Sequence, residues 1–103
     1  MWVMAQVRYC NSAFIPAAVV RRGDFDAGTV FLKHNRFEQG VTVYTQASTL
    51  EGELAWSRGT GPLPVTEAEA DAYIARQVGR DPDAWVIEIE DHKGAYQLDG
   101  KIV

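Results

Sequence analysis

The stretch TEAEADAYIARQVGRDPDAWVIEIE, from Thr66 to Glu90, changes its hydrophobic period half way along. In the first half Ala70, Ile74 and Val78 recur at every fourth residue beside Tyr73 and Gln77, while Glu67, Asp71 and Arg76 fall opposite. That is the stripe of an amphipathic helix. Thr66 followed three residues later by Glu69 matches the capping box that opens helices. Acids in the first turn, with Arg76 and Arg80 near the end, complement the helix dipole, and Gly79 suits the stop. These signals predict a capped helix over about residues 66–79. Asp81-Pro82-Asp83 then turns the chain into Trp85, Ile87 and Ile89, which alternate with Glu88 and Glu90 as a half-buried strand does.

Upstream, Gly59-Thr60-Gly61-Pro62-Leu63-Pro64 is the one Pro/Gly-rich connection, and before it the period is two. β-Branched and aromatic runs at residues 17–22, 29–36 and 41–47, with a weaker one at 54–57, read as an antiparallel meander of three or four strands. Arg22 to Gly28, Phe37 to Gly40 and Leu50 to Glu53 supply its turns. In the opening segment Val3, Ala5, Val7 and Tyr9 alternate, yet Val3, Val7 and Cys10 keep helical spacing; the helical reading is preferred, with Asn11 and Ser12 ending it. Downstream, Asp91-His92-Lys93-Gly94 reads as a hairpin turn, and residues 95–98 return as a short last strand.

The expected architecture is therefore α+β in a single domain over residues 1–103: an N-terminal helix, the meander, the capped helix and a C-terminal hairpin. Both helices are expected on one sheet face, with Trp85, Ile87, Ile89, Ile74, Val78, Val30, Leu32, Val41 and Val43 as the core. Such a sheet leaves its other face open, which, with the aromatic surplus, makes a homodimer an expectation.

The chain has 103 residues, 47% hydrophobic and 23% charged. At this mass about two thirds of the extended chain's surface can be buried, which supports one core. No apolar run approaches the roughly 18 residues of a membrane span, and no secretion signal is evident, so a cytoplasmic protein is expected. Cys10, the single cysteine, excludes an internal disulfide and a multi-cysteine zinc site. The net charge of −4 is uneven. Six basic and five acidic residues up to Arg58 leave +1, whereas four basic and nine acidic residues from Gly59 onward leave −5. A net-acidic domain lacks the Lys/Arg footprint that phosphate backbones require, so nucleic acid is not an expected partner.

Candidate chemistry is sparse. Asp83, Glu88, Glu90 and Asp91, near Asp81, form the densest carboxylate group and have the ligand type that Mg²⁺ or Mn²⁺ prefers. The plainer reading is that Glu88 and Glu90 form the wet face of a one-sided strand. Pro82-Asp83 followed by Asp91-His92-Lys93 superficially resembles the Pro-Asp…Asp-x-Lys pattern of restriction-endonuclease-like nucleases, but the gap is short and the chain small for that fold. His34 and His92 have no nucleophile beside them in sequence; both are expected at exposed polar positions, and Cys10 as a buried thiol. No phosphate-binding glycine motif is present. Adjacent Arg21 and Arg22, with Asp24 and Asp26, form the most distinctive polar group, since paired arginines at a strand end can grip a carboxylate or phosphate. The plainer alternative pairs them with the loop aspartates and the acidic strand. The tripeptide Arg22-Gly23-Asp24 is too short to count as an adhesion motif.

The order Trp2-Val3, Arg21-Arg22-Gly23-Asp24-Phe25-Asp26-Ala27-Gly28, Glu69-Ala70-Asp71-Ala72-Tyr73-Ile74-Ala75-Arg76 and Asp81-Pro82-Asp83-Ala84-Trp85-Val86-Ile87-Glu88-Ile89-Glu90-Asp91 resembles a family of small bacterial proteins classed as a domain of unknown function. Arg80 and Ala84 depart from it, standing where larger apolar side chains are expected. The resemblance implies a small stand-alone cytoplasmic protein and supplies no catalytic residues. The reading that follows is a binding or regulatory module without a cofactor. It would recognise another protein or a small acidic ligand through Arg21, Arg22, Asp24, Asp26 and Trp85. The alternative is a metal-dependent hydrolase built on Asp83, Glu88, Glu90 and Asp91.

Overall fold

The computed structural model describes residues 2–48 and 52–103. Among them, α1 (Trp2–Ser12) is followed by β1 (Ala17–Arg21), β2 (Val30–Asn35), a 3₁₀ turn (Phe37–Gln39), β3 (Val41–Ser48) and β4 (Leu54–Arg58). Then come α2 (Glu67–Arg80), β5 (Trp85–Glu90) and β6 (Lys101–Ile102). The α+β class is as expected, and the strand order is β1-β5-β2-β3-β4-β6 in one sheet.

The order corrects the expected topology. Strands β2, β3 and β4 form the antiparallel meander, but β1 does not join it, because β5 inserts between β1 and β2, antiparallel to the first and parallel to the second. The C-terminal hairpin does not form. Both edges of β5 are already paired, so the chain after Asp91 has no β5 edge to return along. It crosses instead under α1, burying Tyr96, and β6 pairs in parallel with β4 at the far side. The expected turn at Leu50 to Glu53 lies partly outside the described residues, since Leu50 and Glu51 are not among them.

The two helices lie on opposite faces, not on one. Val3 and Cys10 of α1 pack with Val30, Leu32, Trp56, Trp85, Ile87 and Ile89, whereas Ala70, Tyr73, Ile74 and Val78 of α2 pack with Phe31, Val41, Val43, Ala84 and Val86. The run Val30-Phe31-Leu32 explains this: successive strand residues point to opposite faces, so three consecutive apolar residues require cover on both. All three are buried. No face is left open in the way the one-sided arrangement implied.

Helix α2 starts as its cap predicts: the Glu69 backbone N–H donates to Thr66 Oγ1 at 3.2 Å, and the Thr66 hydroxyl donates to the Glu69 carboxylate at 3.0 Å. It runs through Gly79 to Arg80 and stops at Asp81, whose N–H bonds the carbonyl of Gln77. On the sheet below, Lys33 Nζ sits 2.8 Å from both Glu67 and Asp71 and 3.5 Å from Glu88. Burial disfavours the ammonium, but bonds to Asp71 and Glu67 and the field of Glu88 outweigh it and hold the pKa above the ordinary lysine value. This cluster fastens α2 to the sheet.

Candidate functional site

Because β2 and β5 run parallel in register from Val30↔Trp85 to Asn35↔Glu90, the sheet has two poles. At the amino pole, two of the sequence motifs meet. Asp24 N–H donates to the Asp83 carbonyl at 2.9 Å, Trp85 Nε1 donates to the Asp24 carbonyl at 2.9 Å, and Arg21 Nη1 donates to the Ala84 carbonyl at 2.9 Å. A side chain at Gly23 or Gly28 would run into the Asp83 carbonyl and the Trp85 ring, so both glycines are required for close backbone approach. Asp24 Oδ1 accepts from the N–H groups of Asp26 and Ala27 and closes the loop on itself. The Arg-Gly-Asp-Phe-Asp-Ala-Gly loop is thus locked onto the Asp-Pro-Asp-Ala-Trp turn.

Not every residue expected here is available. Trp85 is fully buried, Arg21 is occupied by backbone carbonyls, and the Asp24 carboxylate serves the loop. Arg22 is exposed and, among the described residues, has no ion-pair partner, contrary to the reading that pairs it with the loop aspartates. Its guanidinium lies 5.9 Å from the Phe25 ring and 5.8 Å from the Trp85 ring. Phe25, which sequence reasoning passed over, leans edge-on against Trp85 with centroids 5.3 Å apart and remains 64% exposed. Its signal was present: an aromatic residue inside a polar glycine-bounded loop has no strand or helix stripe to join.

The carboxylates of the alternative reading are scattered. Asp83 lies in the amino-pole turn, Glu88 points to the α2 face and accepts from Asn35 at 3.1 Å, and Glu90 is exposed at the carboxyl end of β5. Asp91 is buried and its oxygens accept from His34 Nε2, Ala95 N–H and Tyr96 N–H. Burial opposes its charge, but those bonds, that of His34 foremost, hold its pKa below the ordinary aspartate value. Among the described residues no group of three or more His, Cys, Asp or Glu side chains is placed to hold a metal ion.

His34 is therefore not an exposed polar position, because the parallel pairing brings Asp91 beside it; its side chain is 14% exposed. His92 is exposed and stacks on Phe37. Cys10 is fully buried, and its thiol pKa is raised by burial and then by the Asp91 charge, so it is a core thiol rather than a nucleophile.

Fold and site together define a small helix–sheet–helix protein with an interlocked loop pair at the amino pole of its sheet. The chain belongs to the DUF1491 family of proteins of unknown function, whose model matches residues 1–99. The crystal structure of a DUF1491 family protein from Caulobacter crescentus CB15 is similar, at 34% identity and TM-score 0.84, covering 99% of this chain and 94% of that one. An NMR structure of a DUF1491 family protein from the same organism shows 36% identity and TM-score 0.80, with 99% and 92% covered. The solution structure of protein Atu0922 from A. tumefaciens shows 26% identity and TM-score 0.74 over 88% of this chain and 82% of that one. A comparison with curated proteins finds no match. Among the described residues no helix is long and apolar enough to cross a membrane.

Proposed function

We propose that this chain is a binding module of the bacterial cytoplasm whose recognition patch is Phe25 with Arg22, and whose partner is a protein surface offering a carboxylate beside an apolar side chain. The observation that carries it is an exposed phenylalanine held on a fully buried tryptophan, next to an arginine that has no carboxylate partner among the described residues. Aromatic and arginine side chains dominate the energetics of protein interfaces, and rigid presentation lowers the entropy lost on binding. Here the Asp24 loop bonds and the two packed glycines supply the rigidity. Arg22 supplies an unspent bidentate donor for a carboxylate.

The test is affinity capture from a host lysate with the intact protein, in parallel with Phe25→Ala and Arg22→Ala. Both side chains are largely in solvent and each gives up only its contacts with the Trp85 ring and with the other, so both variants should fold. A partner retained by the parent and lost from both variants supports the patch; a partner retained equally by all three overturns it. Capture of a small organic acid instead, seen by mass spectrometry of the purified protein and dependent on Arg22, would replace the protein partner by an acidic ligand.

A further inference from the structure

The carboxyl pole carries a second feature, independent of the Phe25 patch. Helix α1 ends in a Schellman arrangement: Ile15 N–H reaches back to the Cys10 carbonyl at 2.8 Å and Phe14 N–H to the Asn11 carbonyl at 3.1 Å. That closure places Phe14 in the left-handed region, at φ 62°. Glycine is the usual occupant of this position, because any side chain there is strained. Phenylalanine stands there instead, and its ring is 94% exposed. Within the monomer this choice loses twice, in backbone conformation and in apolar surface left in water. Ile15 beside it meets the hydrophobic requirement of the cap by burying its own side chain.

Phe14 is itself one wall of a cavity of about 290 Å³ whose other walls are Ala13, Ile15, Asp91, His92, Ala95 and the oppositely charged Glu90 and Lys93. A cavity of about 150 Å³ holds a benzene ring, so the volume here has room for a phenyl group against Ala13, Ile15 and Ala95. Among the described residues neither Glu90 nor Lys93 has an ion-pair partner, and both are exposed. One patch therefore holds a knob and a hole, and a negative and a positive charge. This is the self-complementarity that a two-fold interface demands, in which residue i meets j and j meets i.

We propose that two copies of this chain associate about a two-fold axis at the carboxyl pole. Each seats Phe14 in the other's cavity and sets Glu90 against the partner's Lys93. The reason differs from the open sheet face expected of the sequence, which the fold does not have.

The experiment is sedimentation velocity over a micromolar to millimolar series. Phe14→Gly keeps the helix closure and relieves its strain, so the variant should fold at least as well as the parent yet associate about a hundredfold more weakly, as loss of a central aromatic anchor does. Glu90→Lys or Lys93→Glu alone sets like charges together across the axis and should weaken association. The double exchange restores opposite charges and should recover it. A parent that stays monomeric throughout overturns the proposal. So does a dimer indifferent to Phe14→Gly, or a double exchange no better than either single one.

Discussion

His34 Nε2 lies 2.8 Å from Asp91 Oδ2, joining the end of β2 to the residue that follows β5 in the interior beneath α1. An ionised carboxylate can only accept, so the imidazole carries its hydrogen on Nε2. The same carboxylate receives the N–H groups of Ala95 and Tyr96 and so fixes the path of the chain out of β5.

Replacing Asp91 by Asn should therefore destabilise the protein by about 1–3 kcal/mol at neutral pH, since buried donors lose a charged acceptor. The folded-state pKa of Asp91 is depressed. Its contribution is thus complete above the unfolded value of about 3.9 and fades as the pH falls through the lower folded value. Urea unfolding of parent and Asp91→Asn over an acidic series should show the gap closing as the pH falls below about 4. A gap that widens as the pH falls below about 4 would contradict this account.

Much of this arrangement was legible in the residues, and the remainder was hidden for physical reasons. The Ala70, Ile74 and Val78 stripe and the Thr66 cap are local signals, and α2 follows them to within a residue. Sheet order is not local. Asp91-His92-Lys93-Gly94 has the composition of a hairpin turn, but whether a strand returns depends on whether its neighbour's edge is free. Lys33 and Asn35 look like wet-face residues, yet both are buried, because a helix from a distant segment brings carboxylates to meet them. The candidate site divides the same way. Arg22 was visible as a residue type, whereas Phe25 gains meaning only once Trp85 is seen beneath it.

The Lys33 cluster allows a second prediction, on which partner matters. Among the described residues Lys33 is the one cation against these three carboxylates, and its side chain is 7% exposed while those of Glu67 and Asp71 are 57% and 58% exposed. Removing one of those acids leaves the lysine two partners and returns little buried charge, so Glu67→Gln should change stability by less than about 1 kcal/mol. Lys33→Ala removes a buried stem and the counter-charge of three acids, and should cost about 2–4 kcal/mol, with Lys33→Met costing less because it keeps the packing. Chemical denaturation of the three variants checks the order. Equal effects from Glu67→Gln and Lys33→Ala would show that the cluster is not centred on the lysine.

Two glycines with opposite surroundings give the last prediction. Gly79 lies inside α2 with open space where a Cβ would stand, and its φ is not positive. Alanine there should stabilise by about 0.5–1 kcal/mol, by raising helix propensity and narrowing the unfolded ensemble. Gly28 lies against the Asp83 carbonyl, the Asp24 carbonyl and the Trp85 ring, two of them backbone atoms that cannot swing away. Alanine there must push the loop off the turn and break the bonds that Asp24 makes across it, a loss of about 2 kcal/mol or more. Thermal unfolding of Gly79→Ala and Gly28→Ala should thus move in opposite directions. Because Phe25 is positioned by the same loop, Gly28→Ala should also raise the mobility of the Trp85 environment, seen as loss of near-ultraviolet circular dichroism below the transition. If Gly28→Ala unfolds like the parent with that signal intact, the interlocking of the two motifs is not what holds the amino pole together.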